Sequence, residues 1–197
     1  KRDMESTLLA NKAKNVGSTS LARQCAGVES WLADNVNLGA GGVAPTGDGT
    51  DVLTPGTNRA FDEAQLQGVL ASIWDEGGEP DTIMVGSVVK QAMSGLVNGG
   101  ASGTAQRVVD GNAKTVTSAI DIYVSDFGSL AVVPNRFQVQ TSMLVLQMDM
   151  WCMSTLAEFQ ETPLAKTGDS DRVQLLSEYT LEAKNAKSSG IIAALTS

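Results

Sequence analysis

The stretch Ile120-Asp121-Ile122-Tyr123-Val124-Ser125-Asp126-Phe127-Gly128, running on through Leu130, Val132, Val133, Pro134 and Asn135 to Phe137, decides how the chain is read. Ile120, Ile122 and Val124 alternate with polar partners, and Ser125-Asp126-Phe127-Gly128 supplies turn residues. Leu130, Val132 and Val133 then resume the apolar pattern before Pro134-Asn135. A period of two broken by a turn predicts a β-hairpin. Further along, Met143 to Met148 is apolar enough for a central strand. Val173, Leu175, Ser177, Tyr179, Leu181 and Ala183 alternate over about a dozen residues, a run longer than most strands. Ile191 to Leu195 reads as a last short strand.

Upstream of the hairpin the period lengthens. Leu66, Val69, Leu70, Ile73 and Trp74 fall at helical spacing, with Asp62 and Glu63 suited to the first-turn dipole and Gly77-Gly78 ending the run. All five apolar residues are expected in the core. Asp81 to Val85 reads as a short buried strand, followed from about Ser87 by a helix burying Val89, Ala92, Met93 and Leu96. Lys1 to Lys14 reads as a helix carrying Met4, Leu8 and Leu9 on one side. After Gly17-Ser18, Leu21, Cys25, Val28 and Leu32 recur at helical spacing, although Gly27 weakens that pattern. Residues 39–58, rich in glycine and holding Pro45 and Pro55, read as a surface linker, and Asn98 to Thr104 as a second loop. Helices come mainly first and strands mainly last, so the class is α+β.

Composition narrows the function. The 197 residues are 42% hydrophobic, which is globular, and carry a net charge of −8. Such a surface repels polyanions, so sequence-specific nucleic-acid binding is not expected. No apolar run approaches the roughly 18 residues of a membrane span, and no signal peptide opens the chain. Lys1-Arg2-Asp3 lacks an initiator Met, so a preceding segment is expected. The chain contains no histidine. That removes Ser–His and Cys–His pairs, histidine–zinc centres and the usual general base. Cys25 and Cys152, the two cysteines, read as small semi-buried thiols in a reducing compartment.

Weaker site readings give way to plainer ones. Lys166-Thr167-Gly168-Asp169 has phosphate-loop residue types in the wrong order and reads as a polar loop. Asp48-Gly49-Thr50-Asp51 hints at a calcium loop but lacks the alternating carboxylates and closing glutamate. The 22 acidic residues could supply a hydrolytic carboxylate pair, yet nothing groups them. Trp31, Trp74 and Trp151 read as packing residues, and Met143, Met148, Met150 and Met153 as core fillers. No catalytic, cofactor-binding or metal-binding residue is assigned, no cofactor is expected, and the chain is not read as an enzyme.

Three blocks carry a resemblance. They are Ile120–Gly128 with Val132–Phe137, then Glu161-Thr162-Pro163-Leu164-Ala165-Lys166-Thr167-Gly168-Asp169-Ser170, then Glu178–Glu182 with Lys184-Asn185 and Gly190-Ile191-Ile192. In that order and spacing they resemble the signatures of a group of tailed-phage major capsid proteins. The resemblance covers residues 60–195 well and 1–35 loosely. It implies the Hong Kong 97-type capsid fold, with a peripheral domain (spine helix and long strands) and an axial domain (central sheet with flanking helices). On that mapping residues 1–35 end the spine helix, 36–171 build most of the axial domain, 172–188 form a peripheral long strand, and 189–197 return to the axial domain. The family's N-terminal arm and extended loop have no counterpart here.

The function so implied is that of a major head protein of a double-stranded DNA phage, self-assembling into pentamers and hexamers of an icosahedral shell around the genome. Expected partners are other copies of the chain and scaffolding, portal or decoration proteins, with packaged DNA held only non-specifically and no membrane. Expected localisation is the virion, after assembly in the host cytoplasm. The glycine-rich segments 39–58 and 98–104 are expected to adapt contacts between rings, so deleting 40–56 should impair assembly and spare the fold. The alternatives are an encapsulin-like nanocompartment shell and a β-rich surface decoration or adhesion module.

Overall fold

A computed structural model describes residues 2–97, 121–166 and 168–196. Ile120, the loop 98–104 and the burial of Leu96 therefore lie outside the described residues. The class is α+β, as the order of elements implies.

The helix read from the Leu66–Ile73 stripe is α2, Glu63–Asp75. Asp62 caps it by accepting from the Ala64 amide, and Gly77, left-handed at φ +81°, ends it while the Gly78 amide returns to the Ile73 carbonyl. The short strand after it is β3, Thr82–Val85, and the next helix is α3, Ser87–Val97. The Gln140 side chain accepts from Ser87 Oγ at 2.8 Å and from the Val88 amide, occupying the open donors at the start of α3. The hairpin follows as β4, Ile122–Ser125, and β5, Gly128–Pro134, paired antiparallel around Asp126-Phe127.

One six-stranded sheet organises the body. Its order is β1 (Val36–Asn37), β9 (Gly190–Ile192), β6 (Met143–Leu146), β3, β5, β4. The β1–β9 and β3–β5 pairs are parallel, and the remaining neighbours are antiparallel. Its central strand β6 is apolar throughout because both of its faces are covered. Met143 and Val145 meet α2 and α3 on one side, among Leu66, Leu70, Ile73 and Met93. Leu144 and Leu146 meet Leu9, Val28, Leu32 and Leu53 on the other.

That second layer differs from the sequence reading. The first helix, α1, spans Arg2–Leu8 and stops well short of Lys14. Beyond it the segment is tied to residues 49–53: the Asn11 side chain exchanges hydrogen bonds with the Leu53 backbone, and the Lys14 amide donates to the Gly49 carbonyl. No helix runs from Leu21 to Leu32. Asn15 and Gln24 close a turn across a β-bridge, leaving only a 3-10 turn at Val28–Trp31. Gly27 lies so close to residue 10 that a Cβ there would sit 1.8 Å from the Ala10 carbonyl oxygen. The segment 39–58 is irregular but is no bare surface loop: Val43 and Thr54 form a bridge, and Leu53 is buried in the core. Deleting 40–56 would thus remove core as well as loop.

Other differences are local. Ile191–Leu195 divides into β9 and β10 (Leu195–Thr196) at Ala194, which has φ 60°, and β10 pairs with β2 (Arg59–Ala60). Trp74, expected in the core, is 51% exposed and leans on Phe127 with ring centroids 5.7 Å apart. Ile122 and Val124 face outward, because β4 is an edge strand whose inner side is taken by Tyr123, bonded to Glu63 at 3.0 Å. Met143 is buried, whereas Met148 and Met153 are exposed, so those two fill no core. Cys25 is half-buried and Cys152 exposed, both free thiols.

Candidate assembly surface

The largest feature outside the body is a two-stranded ribbon of β7 (Trp151–Pro163) and β8 (Val173–Ala183). The alternation of apolar and polar residues marks β8 in the sequence, and no such alternation marks β7. Two register shifts, at Thr155/Ala157 and Ala157/Gln160, insert extra residues into β7 and erase its period of two.

The ribbon is fixed at its base. Trp151 Nε1 donates to Ser189 Oγ at 2.9 Å, and Trp151 and Leu181 pack on the second core layer. Ser177, Tyr179, Leu181 and Ala183 are half-buried on one face, while Glu178, Thr180 and Glu182 between them are exposed. Toward the tip this contrast vanishes and every residue from Val173 to Leu176 is exposed. Leu156 is 80%, Phe159 67% and Leu175 70% exposed. Between α1 and the ribbon lies an open groove of about 280 Å³ lined by Met4, Met153, Thr155, Glu158, Phe159 and Ser177. Large apolar side chains spread along a projecting element are unusual on a monomer and mark contact surfaces.

Elsewhere several polar groups are engaged in holding the fold. Glu29, buried beneath the second layer, accepts from Ser142 Oγ at 2.6 Å, and Ser142 in turn accepts from Gln138 Nε2 at 2.9 Å. Burial pushes the Glu29 carboxyl up, against the hydrogen bond from Ser142. Tyr123 is likewise raised, chiefly by burial and then by the Glu63 carboxylate it bonds.

In the 46–51 loop Asp48 is lowered to about 2 by hydrogen bonds from Thr50 and then from the Thr46 hydroxyl, while Asp51 accepts from the Thr46 amide. Both carboxylates are occupied by these donors, an arrangement that shapes a turn. Lys166, of the Lys166–Asp169 polar loop, sits in the tip segment and pairs with Asp171 at 2.7 Å; Thr167 lies outside the described residues. Trp31 is half-buried against Gly49. Among the described residues no group of three or more histidine, cysteine, aspartate or glutamate side chains is placed to hold a metal, and no helix is long and apolar enough to cross a membrane.

The chain is 24% identical over 226 aligned positions to the major capsid protein of Escherichia phage Phieco32, covering 98% of this chain and 63% of that protein. It thus spans less than two thirds of the curated relative's length. Among solved structures, similarity extends to the cyanophage A-1(L) capsid asymmetric unit, at 16% identity and TM-score 0.45 over 73% of this chain and 48% of that one. It extends also to a virus-like particle from Pyrococcus furiosus, at 7% identity and TM-score 0.38 over 69% and 54%. A family model described as the SU10 major capsid protein matches residues 1–196, and with essentially the whole chain matched, this protein belongs to the SU10 major capsid protein family.

Proposed function

We propose that the chain is the shell-forming core of a phage major capsid protein, assembling through repeated contacts between copies into pentamers and hexamers of an icosahedral head. The observation that carries this reading is the β7–β8 ribbon. A two-stranded ribbon is marginal in water by itself, and this one leaves Leu156, Phe159 and Leu175 bare. Neighbouring copies would cover those side chains. Membership of a capsid protein family supports the same reading.

The proposed architecture is Hong Kong 97-type. Residues 1–35 and 172–188 form the peripheral lobe, most of 36–171 forms the axial lobe, and 189–197 return to it. Within 36–171, β7 goes with the peripheral lobe because it pairs with β8 along its length. The role is structural rather than enzymatic. Packaged DNA is held without specificity, since the net charge of −8 opposes tight binding. The site of action is the virion, following assembly in the host cytoplasm, and scaffolding, portal or decoration proteins are further partners.

Gel filtration and negative-stain microscopy of the full-length protein test this. Closed shells or rings of capsomers are expected. A monodisperse monomer across the accessible concentration range would sink the proposal.

A further inference from the structure

We propose that the basic turn Lys12–Gln24 of one copy docks on the outer half of the β7–β8 ribbon of a second copy. The inference rests on the shell reading and names one contact within it.

The two surfaces are complementary in charge. From Ser6 to Val28 the sequence has no carboxylate and three bases, Lys12, Lys14 and Arg23. From Trp151 to Ala183 six carboxylates stand against Lys166 and Arg172. In a chain of net charge −8, a stretch that is only basic stands opposite in sign to its surroundings. The sign match favours encounter in one orientation and disfavours ribbon against ribbon.

They also match in apolar character. The turn is ordered before any contact. The Asn15 amide donates to the Gln24 carbonyl at 2.8 Å, the Gln24 amide returns the bond at 2.9 Å, and the Ser18 amide donates to the Leu21 carbonyl. Gly17, at φ +87°, makes the reversal. This architecture holds two apolar side chains out to solvent, Val16 at 84% and Leu21 at 61% exposure, flanked by Lys14 and Arg23. On the ribbon, Glu161 lies opposite Leu175 and Pro163 opposite Val173. Alternation along β8 places Val173 and Leu175 on the same face as half-buried Ser177 and Tyr179. That face adjoins α1 where Met4 and Phe159 line one groove, and beyond it Val173 and Leu175 are exposed. An apolar centre with a charged rim is the ordinary composition of a protein interface.

The contact joins different patches on the two copies. Such head-to-tail contacts close into rings when the rotation permits, as capsomers require. Within one chain, no ion pair among the described residues links the turn to the ribbon, and Lys12, Arg23, Glu158 and Glu161 form none. The Lys14 ammonium already donates to the Asp48 carbonyl at 2.7 Å, so it is left unaltered in the test.

The test is a charge swap in the full-length protein, read as the concentration at which particles form by light scattering and microscopy. Lys12→Glu with Arg23→Glu, and separately Glu158→Lys with Glu161→Lys, should each raise that concentration by about tenfold, and all four together should restore it to within about threefold of the wild type. If either pair assembles like the wild type, or the combination is as weak as its parents, the docking assignment is overturned while the shell reading stands. A wild-type protein that forms no particles overturns both. Should a swap variant melt below the wild type, the contact is read by Val16→Cys with Leu175→Cys in a Cys25→Ser, Cys152→Ser background. An oxidised ladder of linked copies supports the docking, and its absence overturns it.

Discussion

The sheet body and the β7–β8 ribbon are built from the same kinds of side chain and differ in what lies against them. In the body, Leu144 and Ile191 touch protein on all sides and are fully buried. In the ribbon, Leu156, Phe159 and Leu175 face solvent along a strand pair whose base is fastened by Trp151. Burial fixes a side chain by what folding itself provides, so the body is finished within one chain. The ribbon is held by backbone pairing and, beyond its base, keeps its large apolar side chains exposed, which in the proposed shell a neighbouring copy would cover.

The comparison breaks most readily in the core. Leu144→Ala should cost about 3 kcal/mol of unfolding free energy in the isolated subunit, by lost burial and the cavity left between the sheet and the second layer. Chemical denaturation measures it. A cost near zero would mean that the second layer is not packed as described. Somewhat smaller, Gly27→Ala should cost about 2–3 kcal/mol, because the new Cβ meets the Ala10 carbonyl oxygen and must prise the N-terminal segment away.

Glu29 gives a smaller effect with a pH signature. Its carboxyl is raised by burial, so the folded state keeps the proton to a higher pH than the unfolded state does. The stability this contributes is fully present below the unfolded carboxyl range and is lost as pH rises through the folded value. Glu29→Gln, which retains an acceptor for Ser142, should therefore be more stable than the wild type at neutral pH by about 1 kcal/mol and no more stable near pH 4. Melting temperatures across that range decide it, and a difference that does not depend on pH would contradict it.

Smallest for the isolated subunit are Phe159→Ala and Leu175→Ala, each within about 0.5 kcal/mol of the wild type since little is buried there. The same substitutions should lower particle yield clearly. Hydrogen exchange sharpens the contrast: outer ribbon amides should exchange fast in the subunit and slowly in the assembled particle, while β6 amides stay protected in both.

Legibility followed the same division. The α2 stripe, β3, α3 and the β4–β5 turn were readable because each carries its apolar period or its turn residues within one short stretch of sequence. The resemblance in the three sequence blocks anticipated the capsid family. The ribbon was half readable: β8 keeps its alternation, while the bulges of β7 shift its register and hide it. Trp74 fits the apolar spacing of α2, yet the helix turns that position toward Phe127 at the surface. Leu21, Cys25, Val28 and Leu32 keep a helical spacing that the backbone does not follow.

The amino-acid order by itself fixed the α+β class, the positions of the main helices and of the hairpin, and the absence of imidazole chemistry, since these depend on residue type and on neighbours a few positions away. Tertiary structure decided where α1 ends, which side of β4 is wet, and that β7 joins β8. The reason is that Leu53, Gly49 and Glu182 lie far along the chain from the groups they meet, and a local period states which side chains share a face without stating what will cover it.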